Sequence, residues 1–327
     1  MKQRTCTEIG IVIYPQAQMA AVHGLTDLFR VANRFAIERV GTGAPELRIS
    51  HWQLRPNGRQ LERAFDTHRN PPKPLAALVL PPGVDTVPTG STITPYVRWV
   101  KSQHATGTIA CSVCAGAFVL GETGLLDGRT ATTHWTHSEI FAQRFRKVQV
   151  DIDKLIINDG DIITAGGMMA WVDLGLNLIE RFISPAIMVA TARYFLVDAA
   201  GREQRFYSSF SPRMHHGDGA IVSVQRWLQT HQVENLTVRA MASHARLSER
   251  TFLRRFQSAT GLPPTEYIQR LRVDKAREEL EFSRLAIQEI AWKVGYKDPS
   301  SFRKVFQRIV GLTPGDYRRR FNVLAGK

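Results

Sequence analysis

Two groups of residues in this chain have types and spacings suited to chemistry. The first is Thr108-Ile109-Ala110-Cys111-Ser112-Val113-Cys114-Ala115-Gly116-Ala117-Phe118, where a β-rich run meets a helix start with small residues at the bend. A strand-to-helix elbow of this kind exposes one side chain, here Cys114, and a helix N-terminus beside a thiol lowers its pKa. Ala131-Thr132-Thr133-His134-Trp135 follows and offers His134 as an imidazole partner for that thiol. Cys/His pairing alone is weak evidence for a nucleophile, because an active one also needs its base held in place. Cys111 and Cys114 also form a Cys-x-x-Cys pair. It lacks a Trp-Gly-Pro-type flank, and Cys111 is expected inside a strand, so thiol exchange is a secondary reading.

The second group is basic and duplicated. Ser248, Phe252, Phe256, Gly261, Leu262, Pro264, Tyr267 and Arg270 are matched by Asp298, Phe302, Phe306, Gly311, Leu312, Pro314, Tyr317 and Arg320, every pair 50 residues apart. One structural unit is therefore used twice. Each copy reads as a short helix, a tight turn and a second helix with a polar outer face, the helix-turn-helix pattern. Ser248 and Asp298 are N-caps, Pro299 suits the first helical position, and the phenylalanines at i, i+4 face inward. Arg250, Thr251, Leu253 and Arg254 then face outward in the first copy, as do Ser300, Ser301, Arg303 and Lys304 in the second. Side chains of these types reach base edges and phosphates in a major groove. Leu253 suits either a thymine methyl group or packing. Pro264–Leu280 reads as one rigid helix able to hold the two units about one DNA turn, roughly 34 Å, apart. A helical bundle with a solvated basic exterior explains neither the duplication nor the caps before both basic helices.

From Glu8 to about Glu180, strand-like runs alternate with amphipathic helical stretches, which predicts an α/β domain with a parallel sheet. The expected strands are Ile9–Tyr14, Leu47–Leu54, Ala76–Leu80, Thr108–Cys111, Leu155–Asn158 and Asp161–Ala165, with a hairpin at Asp159-Gly160. Helices are expected over Leu25–Ile37, Pro95–Gln103, Ala115–Glu122, Ser138–Phe145, Met169–Phe182 and Pro185–Ala199. The last two are apolar enough to serve a dimer interface or the core. The organisation is then an α/β domain over 1–200, an exposed linker over 201–218 and a DNA-binding domain over 219–327. His215-His216 lies in that linker and receives no role. No cofactor and no metal site is read.

Charge follows the same division. Residues 1–211 hold 22 Lys/Arg and 18 Asp/Glu, net +4, whereas residues 212–327 hold 21 and 11, net +10. A basic surface of this kind marks an anionic polymer as the partner. Three cysteines are too few for a disulfide framework, and no apolar run is long enough to span a bilayer, so a cytoplasmic protein is expected.

Ala286–Arg320, through Ile290-Ala291, Gly295-Tyr296, Asp298, Ser301-Phe302, Phe306, Gly311, Thr313-Pro314 and Tyr317, resembles the signature of the AraC/XylS transcription regulators. Ile9–Phe182 resembles the PfpI-like branch of the class I glutamine amidotransferase superfamily, with Cys114 and His134 at its cysteine and histidine. Together they are similar to the GlxA-like subgroup of these regulators. The resemblance implies a flavodoxin-like sandwich joined to an all-α domain of two helix-turn-helix units, reading two successive major grooves of double-stranded DNA. It also implies control by a small molecule, and activation together with RNA polymerase. A homodimer formed through the amino-terminal domain is expected. Three departures argue against carried-over catalysis. The acidic residue of active relatives falls on Ala21, their Pro-Gly-Gly is Pro81-Pro82-Gly83 here, and Asp27 is better placed for local structure than as a substitute acid. The elbow is therefore read as a binding pocket lined by Cys114, His134, Ala115, Gly116, Gly83, Thr133, Trp135 and the Gly166-Gly167-Met168 turn. A helix N-terminus favours a carboxylate and Trp135 suits a cation, pointing to an amino acid or a quaternary amine. The competing readings are a cysteine-dependent hydrolase or hydratase with a DNA-binding appendage, and a nonspecific architectural DNA binder.

Overall fold

The computed structural model describes residues 6–324 other than 57, 59, 70, 72, 86, 200, 215 and 231–236, so His215 lies outside the described residues. The chain divides into two compact units, Met1–Gln204 and Arg205–Lys327. The first unit runs β1 (Cys6–Ile13), α1 (Met19–Val40), β2 (Glu46–Leu54), β3 (Leu61–Asp66), β4 (Leu75–Leu80), α2 (Thr94–Ala105), β5 (Ile109–Val113) and α3 (Gly116–Glu122). It continues with β6 (Thr130–Ala131), α4 (Ser138–Arg144), β7 (Gln149–Val150), β8 (Ile156–Asn158), β9 (Ile162–Ala165), α5 (Trp171–Phe182) and α6 (Pro185–Tyr194).

Seven strands form one sheet in the order β3-β2-β1-β4-β5-β9-β8. The five central strands are parallel, as the strand–helix alternation predicts, while the edges β3 and β8 are antiparallel. Alternate residues of the central strands feed two cores, one on each face. Ile9, Ile11, Val79, Cys111 and Ile163 pack with α1, α5 and α6, whereas Val12, Leu78, Leu80 and Ala110 pack with Val100, Phe118 and Phe141. The apolar residues of α5 and α6, including Leu174, Leu178, Ile179 and Ile187, lie in the first of these cores. Burial in the core therefore accounts for their apolar character.

Two sequence expectations need correction. Strand β3 was not anticipated, because Leu61–Asp66 is charged and half exposed. Its place comes from pairing with β2 and from ion pairs such as Arg48–Asp66 at 2.6 Å and Arg55–Glu62 at 3.2 Å. The stretch expected as an exposed linker is partly buried. Gln204 is 2% and Phe206 6% exposed, because each side chain finds specific partners that a composition rule does not see.

The second unit contains α7 (Gly219–Thr230), α8 (Val238–His244), α9 (Glu249–Thr260), α10 (Pro264–Phe282), α11 (Ile287–Lys293), α12 (Pro299–Val310) and α13 (Pro314–Phe321). The internal repeat has the same geometry in both copies. Phe252 and Phe256 are fully buried, and Phe256 meets Tyr267 edge-on at 5.1 Å; Phe302 and Phe306 are likewise buried, and Phe306 meets Tyr317 edge-on at 5.5 Å. Gly261 and Gly311 end α9 and α12 with φ of 76° and 85°, the left-handed conformation that glycine adopts without a Cβ penalty. Helix α10 divides its burial between the copies, giving Tyr267 and Ile268 to one core and Val273, Ala276 and Leu280 to the other. Its 19 residues make a rod of about 28 Å.

The turns differ by one residue. Arg246 and Gly295 hold equivalent left-handed positions, at φ 53° and 87°, and their N–H groups bond Ser243 O and Trp292 O respectively. That equivalence is 49 residues apart rather than 50, so the second turn carries one extra residue before its cap.

Candidate functional site

The outer faces of α9 and α12 are built alike. Ser248 Oγ accepts from Thr251 N at 3.4 Å, and the Asp298 carboxylate accepts from Ser300 N at 3.0 Å and Ser301 N at 2.9 Å. These caps supply the acceptors that the first helical N–H groups lack. With the phenylalanines turned inward, Arg250, Leu253, Arg254, Ser300, Ser301, Arg303 and Lys304 are exposed and Thr251 is half-buried. Thr251 and Ser301 have their hydroxyls engaged at the caps, with Ser248 at 3.0 Å and Asp298 at 2.7 Å. Among the described residues, Arg250, Arg254, Arg303 and Lys304 form no hydrogen bond or ion pair. Arg255, one position on, instead pairs with Asp218 at 2.7 Å. Leu253 is 42% exposed and so sits on the outer face rather than in the core.

In the first unit the elbow has the expected backbone and unexpected chemistry. Cys114 adopts φ 53° between β5 and α3, with its N–H on Ala165 O at 2.8 Å. Gly116 is required there, because a Cβ would collide with the carbonyl oxygens of Leu80 and Pro81. The side chain is not presented to solvent, however. Cys114 is 1% exposed and shares an apolar core with Ala21, Ala115 and Trp171. Burial pushes its thiol up to about 11, outweighing the Ala115 N–H that favours the thiolate. Cys111 is pushed up to about 12 by burial, against the opposing pull of the Arg181 cation, so neither member of the Cys-x-x-Cys pair is a thiolate at neutral pH.

His134 does not hydrogen-bond Cys114. Its Nδ1 bonds Thr136 Oγ1 at 2.7 Å, its ring stacks with Trp135 at 5.6 Å, and burial lowers its pKa, so the imidazole is neutral. The side chain from this run that reaches the elbow is Thr133, whose hydroxyl donates to Cys114 O at 2.8 Å. At the position of the missing acid Ala21 is fully buried, and Pro82 O accepts from Gln18 N at 2.7 Å while Gly83 bridges Ala17. Met168 is half-buried beside the Gly166-Gly167 turn.

Gln204 is the residue that sequence reasoning missed. Its Oε1 accepts from Trp135 N at 3.0 Å and Gly167 N at 3.2 Å, and its Nε2 donates to Thr133 O and Ile152 O, both at 3.0 Å. A Cβ on Gly166 would strike this carboxamide. The side chain thus fills a cradle made by the loop and turn expected to line a ligand pocket. A polar segment labelled a linker gave no signal for it.

Comparison with known proteins places these units. A helix-turn-helix domain family matches residues 241–320, and the DJ-1/PfpI family matches residues 68–181. The HTH-type transcriptional regulator GlxA of Rhizobium meliloti is 30% identical over 211 residues, 64% of each chain, and the HTH-type transcriptional regulator CdhR of Pseudomonas aeruginosa is 27% identical over 228 residues, covering 69% of this chain and 68% of that one. Over most of its length the chain is therefore similar to HTH-type transcriptional regulators of the GlxA and CdhR type. Among solved structures, the DNA-binding domain of AdpA in complex with a target DNA is 32% identical, covers 33% of this chain and 97% of that one, and has a TM-score of 0.31. The chain combines a flavodoxin-like DJ-1/PfpI unit with a helical helix-turn-helix unit, and it acts as a sequence-specific transcription regulator. No helix among its described residues is long and apolar enough to cross a membrane.

The regulator's thiols give a direct test of the elbow. In reduced, chelator-treated full-length protein at neutral pH, iodoacetamide is expected to label half-buried Cys6 well before Cys111 or Cys114, because alkylation needs an accessible thiolate. Mass-spectrometric mapping decides the matter, and Cys114 labelled first would restore it as a reactive nucleophile.

Proposed function

We propose that this regulator is a cytoplasmic, homodimeric activator whose α9 and α12 enter two successive major grooves, and whose DJ-1/PfpI unit binds an effector without transforming it. Arg250, Thr251, Leu253 and Arg254 serve one groove and Ser300, Ser301, Arg303 and Lys304 the next. Thr251 and Ser301 act mainly by holding the caps. The duplicated set of cations that have no hydrogen-bond or ion-pair partner among the described residues, on matched helix faces, carries this reading, since nonspecific attraction needs charge but not two similarly capped and packed helices. RNA polymerase is the partner for activation, and Tyr194 and Leu196, exposed at the end of α6, supply apolar surface for the dimer. A non-catalytic role is supported by the buried, protonated Cys114, by Ala21 in place of an acid and by the engagement of His134 with Thr136.

Genome-wide DNA selection with the full-length protein at about 150 mM salt tests the function, because nonspecific electrostatics are then partly screened. A motif of two boxes about one turn apart is expected. Diffuse, salt-sensitive binding without a motif rejects the reading.

The Gln204 cradle narrows the effector. Two N–H groups converge on an oxygen and two carbonyls on a donor N–H, so an α-amino acid matches both halves, whereas a quaternary amine has no N–H for the carbonyls. Cys114, Ala115, Gly116, Gly83, Thr133, His134, Trp135 and Met168 are the proposed surroundings. An effector seated there competes with Gln204, which lies at the end of the first unit. Gln204→Ala is expected to destabilise that unit by about 1–3 kcal/mol, through buried groups left unpaired, and to tighten amino-acid binding. Thermal unfolding across an amino-acid panel checks both, and an unchanged midpoint with an unchanged ligand response removes Gln204 from the mechanism.

A further inference from the structure

At the opposite end of the strands from the elbow, three chemically different donors meet. Cys6 opens β1 and Glu46 opens β2, and the two are direct partners in the parallel ladder. His68 follows β3, and Thr67 ties this segment to β2, its N–H on Ile49 O and its Oγ1 accepting from Ile49 N, both at 3.0 Å. The ligand atoms of Cys6, Glu46 and His68 all lie within 4.8 Å of one another. Glu46 Oε2 and His68 Nε2 are 3.3 Å apart. Two ligands at about 2.0–2.1 Å from a tetrahedral ion sit about 3.3–3.4 Å apart, so this edge already has the dimension of a zinc-type site.

We propose that Cys6, Glu46 and His68 bind a borderline divalent cation of the zinc class. A thiolate, an imidazole and a carboxylate are the donor set that suits such an ion, in preference to the all-oxygen shell of magnesium or calcium. The two anionic donors neutralise its charge. His68 Nδ1 lies 2.9 Å from Thr67 Oγ1, so donation to that hydroxyl leaves the Nε2 lone pair for the metal, the outer-shell support that fixes a ligating tautomer. Two cations act on Cys6, Lys73 and Arg48, and Arg48 is compensated by Asp66 at 2.6 Å and Glu8 at 3.5 Å. Glu46 and His68 have side chains 18% exposed, and both line an open cleft of about 380 Å³ beside Arg30, Asn33 and Ile37 of α1. The cleft provides the entry path and room for water as a fourth ligand. Three protein donors with one open position describe a loadable site rather than a closed structural one.

The test uses reduced, chelator-stripped full-length protein titrated with Co²⁺. One ion per chain is expected, with a thiolate-to-cobalt charge-transfer band that Zn²⁺ abolishes by displacement. Cys6→Ser should remove the band, and His68→Gln should lower Co²⁺ affinity by about 10–100-fold or more. Wild-type protein gives a second readout independent of variant folding: Zn²⁺ should protect Cys6 from alkylation. Absence of the band in wild-type protein, its survival in Cys6→Ser, or alkylation of Cys6 at the same rate with and without Zn²⁺ would each overturn the site.

Discussion

Replacing Arg254 and Lys304 together by alanine is expected to weaken specific DNA binding by about 2–6 kcal/mol, about thirty-fold at the least, since each base or phosphate contact contributes about 1–3 kcal/mol. The two residues occupy corresponding faces of α9 and α12, one in each copy of the repeat. Neither is buried and neither has a hydrogen-bond or ion-pair partner among the described residues, so their removal leaves the fold intact. Arg255 is the contrasting neighbour: its pairing with Asp218 ties α9 to the segment before α7, and its loss acts on packing first. Binding to the selected operator and to scrambled DNA at several salt concentrations separates the contributions. A base contact changes the ratio of the two affinities, while a phosphate contact lowers both and reduces the salt slope by about one. Unchanged operator affinity in the double variant would remove both side chains from the interface.

The second large effect is on stability. Phe306→Ala is expected to cost about 3–5 kcal/mol, the range for emptying a buried aromatic site. Phe306 is fully buried and packs on Phe302 at 5.6 Å and on Tyr317 at 5.5 Å, in a core that also takes Val273, Ala276 and Leu280 from α10. That core is small and separate from the one around Phe256. The loss should therefore fall on α11–α13 while the first copy keeps its structure. Amide hydrogen exchange resolved along the chain measures this, with fast exchange expected over residues 287–321 and little change over 238–262. Uniform loss of protection across both copies would mean that α10 couples them into one folding unit.

Much of the fold was legible because its signals are local. Strands such as Ile9–Tyr14 and Ala76–Leu80 announce themselves as short apolar runs, and the Asp159-Gly160 turn, with Gly160 at φ 82°, forms the β8–β9 hairpin where it was expected. Strand β3 escaped notice because Leu61–Asp66 has no apolar pattern of its own. The elbow was legible as backbone, since small residues mark the sharp turn at which Cys114 takes a left-handed φ, and Gly116 is the residue that the close approach to Leu80 and Pro81 demands. Its chemistry was not, because a pKa depends on what surrounds the group and not on its neighbours in the chain.

The duplication, the caps at Ser248 and Asp298, the inward phenylalanines and the outward basic residues follow from residue order alone, because helix periodicity and capping act over three or four residues. Folding in three dimensions is what makes Cys114 a buried thiol, seats Gln204 in a cradle formed about 70 residues earlier by Thr133 and Trp135, and brings Cys6, Glu46 and His68 together. Each of these depends on segments brought together by the sheet, whose pairing across long stretches of chain is set by the burial of both faces at once and carries no local spacing rule.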